Sequence, residues 1–252
     1  MQNLSIIILT KNEQKNIEAA VLNSKQCTDK VIVVDSGSTD ETVILAEQAG
    51  AEVLFRAWDN DFAAQRNFAL DKIETEWVLY LDADERLNTQ LIASIKEAVE
   101  SAKLNKQYTI KRYSHAFGQQ FRHGVLRPDR VARLFPSKAV SWEGKVHERP
   151  VCTLKKGELP GHIEHYTYES WQQYFQKFNQ YTSLWAEGAC KNGKKSSMAG
   201  AFAHAAYAFI QMTFFKAGFL DGWLGLVLCC NHFSYTLTKY VKLKELSEKT
   251  RD

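Results

Sequence analysis

Residues 77–85 read WVLYLDADE: five apolar or aromatic side chains run into two carboxylates, Asp82 and Asp84, with only Ala83 between them. A short apolar run bounded by polar residues has the length of a strand buried on both faces. Carboxylates this close raise one another's pKa unless a cation or hydrogen-bond donors offset the repulsion. The stretch therefore reads as a buried strand ending at a charged site, with a divalent metal as the first candidate. Residues i and i+2 of a strand point the same way, so a chain that stays extended through the turn would aim Asp82 and Asp84 at one ligand. Their hard oxygens suit Mg or Mn, ions that bridge phosphate oxygens. The plainer reading is that Asp84 and Glu85 cap or salt-bridge the following helix.

Working back from this strand, short β-branched runs alternate with amphipathic stretches, the pattern of βαβ units on a mostly parallel sheet. LSIIIL (4–9) and VIVVD (31–35) read as buried strands, and a short one is expected around 52–55. Asn12 is a candidate N-cap for a helix whose inner face is Ile17, Ala20, Val21 and Ser24, and Ser38 with Glu41 has capping-box spacing. Asp61 is placed to cap a third helix. Three strands end in polar clusters, TKNE, DSGSTD and DADE. Ligands of open α/β sheets bind outside the carboxyl ends of the strands, so the clusters should line one crevice. Asp35 could accept hydrogen bonds from a base or ribose there. Asp35 and the crevice make a nucleotide the expected ligand, while the absence of GxGxxG and GxxxxGK[ST] disfavours a dinucleotide and P-loop chemistry.

Working forward, a helix is expected over about 88–100, then a mixed-sheet region over about 105–165 with strand-like runs YTIKRY, GQQF, RVARLF and RPVCTL. In RPDRVAR, Arg127, Arg130 and Arg133 do not all share one strand face, so at most two can meet the same phosphate. Trp142 is a candidate sugar-stacking residue, with a core position as the plainer reading. A polar helix should cover about 169–187. From Met198 an apolar stretch runs for thirty-odd residues, interrupted by His204, Gln211, Lys216 and Asp221. A spanning helix needs about 20 mainly apolar residues, so helices lying in a membrane interface fit better.

The 252 residues are 45% hydrophobic and 24% charged, ordinary for a globular chain, and a net charge of +3 is too small to argue for nucleic acid. The charge is uneven: from Lys191 onward nine Lys/Arg stand against four Asp/Glu, net +5, leaving 23 against 25, net −2, in the first 190 residues. Five cysteines without ligand spacing fit thiols in a reducing compartment. The N-terminus lacks the layout of a secretory signal. A cytoplasmic location, peripheral on the inner face of the cytoplasmic membrane, is expected.

Taken in order, LSIIILTKNE, VIVVDSGSTDET, AAQRNFAL and WVLYLDADE resemble the nucleotide-sugar half of the inverting A-type glycosyltransferases of family two, over residues 1 to about 100. The remainder, with WEGKVHE and KAGFLDGWLGL, resembles the bacterial lipopolysaccharide inner-core glucosyltransferases that add β-1,4-glucose to the first heptose. The resemblance implies an α/β fold: a nucleotide-sugar-binding, Rossmann-like mixed sheet over 1–100, an acceptor half of the same catalytic domain over 101–190, and a basic, apolar helical appendage over 191–252. It also implies UDP-glucose as donor, a divalent cation (Mg or Mn), a lipopolysaccharide-core acceptor and a membrane surface as partner.

Position by position, the resemblance puts Thr10, Asn12 and Glu13 at the nucleoside, Asp35 at the uracil or ribose, and Arg66 near the diphosphate or sugar. Asp82 would face the ribose or a metal-bound water, and Asp84 would ligate the metal. Inversion needs a base on the face opposite the leaving group. The Glu-Asp pair of many relatives is missing, so Glu148 in VHE is the candidate base, Asp129 its rival, and His147 a metal or diphosphate ligand. A polyprenyl phosphate or peptide acceptor, or a non-catalytic membrane scaffold on this fold, are the competing readings.

Overall fold

The computed structural model describes residues 3–101, 104–144 and 148–249. They form two compact units, Met1–Arg112 with Asp129–His165, and Tyr113–Pro128 with Tyr166–Asp252.

In the first unit β1 (Leu4–Thr10), β2 (Val31–Asp35), β3 (Glu52–Phe55) and β4 (Trp77–Asp82) are parallel, in the order β3-β2-β1-β4. They are joined through α1 (Ile17–Lys25), α2 (Thr42–Gln48) and α3 (Phe62–Leu70). Apolar side chains occupy both faces of β1: Ile6 and Ile8 pack with Ile17 and Val21, while Ile7 packs with Val78 and Tyr80. This two-sided burial is why β1, β2 and β4 read as apolar runs, each buried Ile or Leu contributing roughly 1.5–3 kcal/mol. The register sets Thr10 opposite Asp35 and Leu9 opposite Asp82, which lines up the polar strand ends.

Two cap assignments change. Asn12 has φ of 54° and does not cap α1, which follows Asn16. Its backbone N–H donates to Ser38 Oγ (2.8 Å), and its Oδ1 accepts from the Thr39 N–H (2.8 Å). No capping box forms at α2, because the Ser38 hydroxyl is engaged by Asp35 and Asn12, and Asp40 accepts from the Thr42 N–H instead. Asp61 caps α3 as expected, accepting from the Ala64 N–H at 2.9 Å.

After β4 the chain turns at Ala83–Asp84 rather than staying extended. There follow β5 (Glu85–Leu87), α4 (Thr89–Ser101), β6 (Lys106–Ala116), β7 (Gln119–Gln120), β8 (Asp129–Pro136), β9 (Ser141–Glu143), β10 (Arg149–Val151) and β11 (Lys155–Tyr168). The sheet continues past β4 in the order β8-β6-β11-β5, with β8 antiparallel to both β4 and β6, so it is mixed. β9 and β10 form a separate antiparallel pair. The sequence does not announce β11, the longest strand, because Gly157, Pro160 and Gly161 interrupt it. Gly161 is required: its φ is +92°, and a Cβ there would lie 2.4 Å from the Leu91 nitrogen.

The second unit contains α5 (Trp171–Lys191), α6 (Met198–Ile210) and α7 (Gly222–Lys249), with a π-helical turn (Gln211–Phe215) and a 3-10 turn (Gly218–Asp221) between α6 and α7. Its core includes Phe121, Tyr174, Leu224 and Leu228. Among the described residues no single helix is long and apolar enough to cross a membrane, although Met198–Phe215 with Gly218–Lys249, bent by 68°, is so as a pair.

Candidate active site

At the ends of β1 and β2 the chain folds on itself. Asp35, buried, accepts from the backbone N–H groups of Gly37 (2.9 Å) and Ser38 (3.0 Å) and from the Ser38 hydroxyl. The Glu13 N–H donates to Thr42 Oγ1 (2.8 Å), and Glu13 Oε2 accepts from Asn16 (2.8 Å). Thr10 is buried, and its hydroxyl finds no partner among the described residues. The residues expected at a nucleoside are therefore assembled, and Asp35 also orders the loop that carries them.

Next to them lies a network of charges. Asp82 Oδ1 accepts from Arg66 (3.0 Å) and Oδ2 from Arg133 (2.8 Å). Glu85, with no exposed surface, accepts from Arg133 (2.7 Å) and Arg112 (2.9 Å) through Oε1, and from the Asp82 N–H (3.0 Å) through Oε2. Arg112 continues to both Asp129 oxygens (3.0 and 2.7 Å). Burial opposes charge on Asp82, yet Arg133 and Arg66 outweigh it and hold the carboxyl well below the usual carboxylate range. Burial likewise works against the Arg133 cation, and Asp82 and Glu85 overcome it, raising its pKa further. Of the arginines in RPDRVAR only Arg133 enters the network; Arg130 pairs with Glu158 at the surface (2.7 Å).

Arg66 is buried over the Trp142 ring (4.6 Å) and near that of Tyr80 (5.7 Å), and its Nε and Nη1 find no partner among the described residues. An arginine stacked on aromatics with unspent donors is suited to an oxyanion. Asn67 fixes the geometry, since its side chain donates to the Trp142 carbonyl and accepts from the Trp142 N–H, both at 2.9 Å. Trp142 is a core residue, packed edge-on to Tyr80 and Phe135. Burial pushes the Tyr80 phenol up.

Glu148 joins the same group, its Oε1 accepting from Arg66 at 3.3 Å. Arg66, Asp82, Arg112, Arg133, Trp142 and Glu148 line a cavity of about 560 Å³. Asp129 is about half exposed and tied to Arg112, and the cavity lining does not include it.

The turn at Ala83–Asp84 gives Asp84 a different neighbour from Asp82. Asp84 Oδ2 lies 3.3 Å from Nε2 of His165, which the register of β11 against β5 sets opposite Glu85. The sequence reading missed this histidine. His147 lies outside the described residues. Among those described no group of three or more His, Cys, Asp or Glu could hold a metal. One carboxylate and one imidazole still suit an ion whose remaining positions are filled by diphosphate oxygens and water.

Residues 5–147 match the family described as glycosyl transferase family 2. An uncharacterized glycosyltransferase of Rickettsia typhi is 31% identical over 264 residues, covering 100% of this chain and 90% of its own length. The lipopolysaccharide core biosynthesis glycosyltransferase LpsC of Rhizobium meliloti is 26% identical over 200 residues, 76% of this chain and 73% of LpsC. Among solved structures, glucosyl-3-phosphoglycerate synthase from Mycobacterium tuberculosis, with Mn2+, uridine-diphosphate and phosphoglyceric acid, aligns with a TM-score of 0.40 and 17% identity, over 55% of this chain and 57% of that one. A likeness that low says nothing of donor or metal.

Proposed function

The chain belongs to glycosyl transferase family 2, and from that premise we propose that it moves glucose from UDP-glucose to a heptose of the lipopolysaccharide inner core, with inversion, assisted by Mg or Mn. The observation that carries this reading is the contact of Glu148 with Arg66 beside Asp82 in one cavity, a carboxylate and an oxyanion-binding cation side by side. The acceptor class draws on the name of the Rhizobium meliloti relative. A lipid-linked acceptor is met at the inner face of the cytoplasmic membrane, which is where the enzyme would work.

In the reaction a bond forms between the acceptor hydroxyl oxygen and the sugar C1, and the bond from C1 to the diphosphate oxygen breaks, its electron pair leaving with UDP. Glu148 takes the hydroxyl proton. Arg66 turns its unspent N–H groups to the diphosphate, where negative charge grows. Arg133, itself held by Glu85, and Arg66 keep the Asp82 carboxylate ionised and oriented toward the ribose side. Thr10, Asn12, Glu13 and Asp35 shape the nucleoside end. Asp84 and His165 would hold the divalent cation, which supplies charge neutralisation at the leaving diphosphate.

Structural analysis of lipopolysaccharide from a strain lacking this gene tests the reading, because the missing sugar names donor and acceptor together. An intact inner core, together with loss of a polyprenyl-linked or protein-linked sugar, would move the assignment to that acceptor.

A further inference from the structure

Between Lys191 and Leu226 the chain holds four lysines (Lys191, Lys194, Lys195 and Lys216) and a single carboxylate, Asp221. In sequence Asp221 interrupts the apolar run, but in the second unit it turns inward, its side chain 7% exposed. Its Oδ2 accepts from the N–H groups of Arg122 (3.1 Å) and His123 (2.7 Å), its Oδ1 lies 2.9 Å from His123 Nδ1, and its carbonyl accepts from Gln119 (2.8 Å). The Gly124 N–H donates to the Lys216 carbonyl (2.8 Å). Gly218 and Gly225 are packed so closely that a Cβ on Gly225 would lie 2.2 Å from the Gly218 oxygen. The break between α6 and α7 is thus pinned from within.

What this pinned break turns outward is apolar: Phe215 is 77% exposed, Trp223 71%, Phe214 63%, Leu220 60% and Phe219 49%. Exposed Phe202, Ala203, Ala206, Tyr207 and Ile210 extend the surface along one stripe of α6, at successive spacings of one and three. A soluble surface rarely carries so continuous an apolar area without a partner for it.

We infer that this segment is a membrane wedge: Phe214, Phe215, Phe219, Leu220 and Trp223 enter the acyl-chain boundary of an anionic bilayer, and the four exposed lysines meet its phosphates. Charge selects the bilayer over a second copy of the chain. A two-fold pair would set the same lysine-flanked patch against itself, whereas an anionic leaflet complements it. With Asp221 consumed internally, no carboxylate of residues 191–226 faces the lipid, and the rigid break presents the aromatic residues without an ordering cost at binding. The wedge rests on this segment alone and stands or falls separately from the transferase reading.

Flotation of the full chain with phosphatidylcholine vesicles, with and without phosphatidylglycerol, tests it. Wild type should float with the anionic vesicles and less with the neutral ones. Phe215→Ser with Trp223→Ser should weaken flotation by roughly tenfold or more, while circular dichroism and UDP affinity stay unchanged. Brominated lipid should quench a tryptophan component that Trp223→Phe, which keeps the fold and most of the apolar area, removes. Wild type left at the bottom of the gradient at low salt, or a double variant that floats as well as wild type, overturns the wedge. So does a wild-type dimer that the double variant turns into a monomer without any vesicle binding.

Discussion

The Asp84 carboxylate and the His165 imidazole meet at 3.3 Å because β11 runs antiparallel to β5 and sets His165 level with Glu85. If the pair holds the cation, Asp84→Asn and His165→Ala each weaken Mn2+ binding in the presence of UDP by at least roughly tenfold. Titration calorimetry reads this directly. Unchanged affinity in both variants, or full turnover after exhaustive chelation, removes the metal from this place.

Glu148→Gln should leave UDP affinity nearly unchanged and lower turnover roughly 10²- to 10⁴-fold, the range for losing a general base. Asp129→Asn should change turnover by less than about tenfold, since it loses only a half-exposed pairing with Arg112. Steady-state rates with both variants decide between the two carboxylates. The reverse order of effects would make Asp129 the base.

Glu85 has no exposed surface and carries contacts to Arg112 and Arg133. Glu85→Gln leaves two arginines short of a counter-charge, so unfolding in urea should show a loss of about 3–5 kcal/mol. A loss below about 1 kcal/mol would mean that water or Asp82 and Asp129 already compensate the arginines.

The depressed pKa of Asp82 predicts an acid-side stability loss of definite sign. Burial works against the charged form, and Arg133 and Arg66 reverse its effect. In the unfolded chain the group titrates near its ordinary value of about 3.9, so below that pH the unfolded state binds a proton that the native state does not. Stability from this group is complete above about pH 4 and falls as the pH drops toward the native value. Comparing unfolding free energies from pH 6 down to about pH 3, wild type should decline more steeply than Asp82→Asn. Parallel slopes would show that the carboxylate is not held in the charged form.

How far the sequence could be read depended on how local the cause was. β1, β2 and β4 are apolar on both faces and end in polar clusters, and Asp61 caps its helix, all signals contained in a few neighbouring residues. Ser38 misled because its hydroxyl had two possible employers, the α2 cap or Asp35, and only the fold decides between them. Glu85, which in sequence points only to the following helix, and Arg112, Asn67 and His165, which carry no local signal, are hidden for one reason. Each acquires its role from a partner distant in sequence, Arg112 on β6 and Arg133 on β8 for Glu85, Trp142 on β9 for Asn67, and Asp84 in the β4–β5 turn for His165, and nothing beside it in the chain names that partner. In sequence Arg133 is one of three arginines alike, and only the pairing of β8 along β4 singles it out.

The position of β8 has a consequence for the growing chain. β4 ends as an interior strand, with β1 on one side and β8 on the other. Its second neighbour, Asp129–Pro136, is synthesised well after Asp82. Until then WVLYL is the unpaired rim of a four-stranded parallel sheet, an apolar edge of the kind that recruits other strands. A nascent chain that stalls before residue 129 is therefore expected to be the aggregation-prone form of this protein, and the same segment that bears Asp82 at its end is the one a chaperone would have to cover.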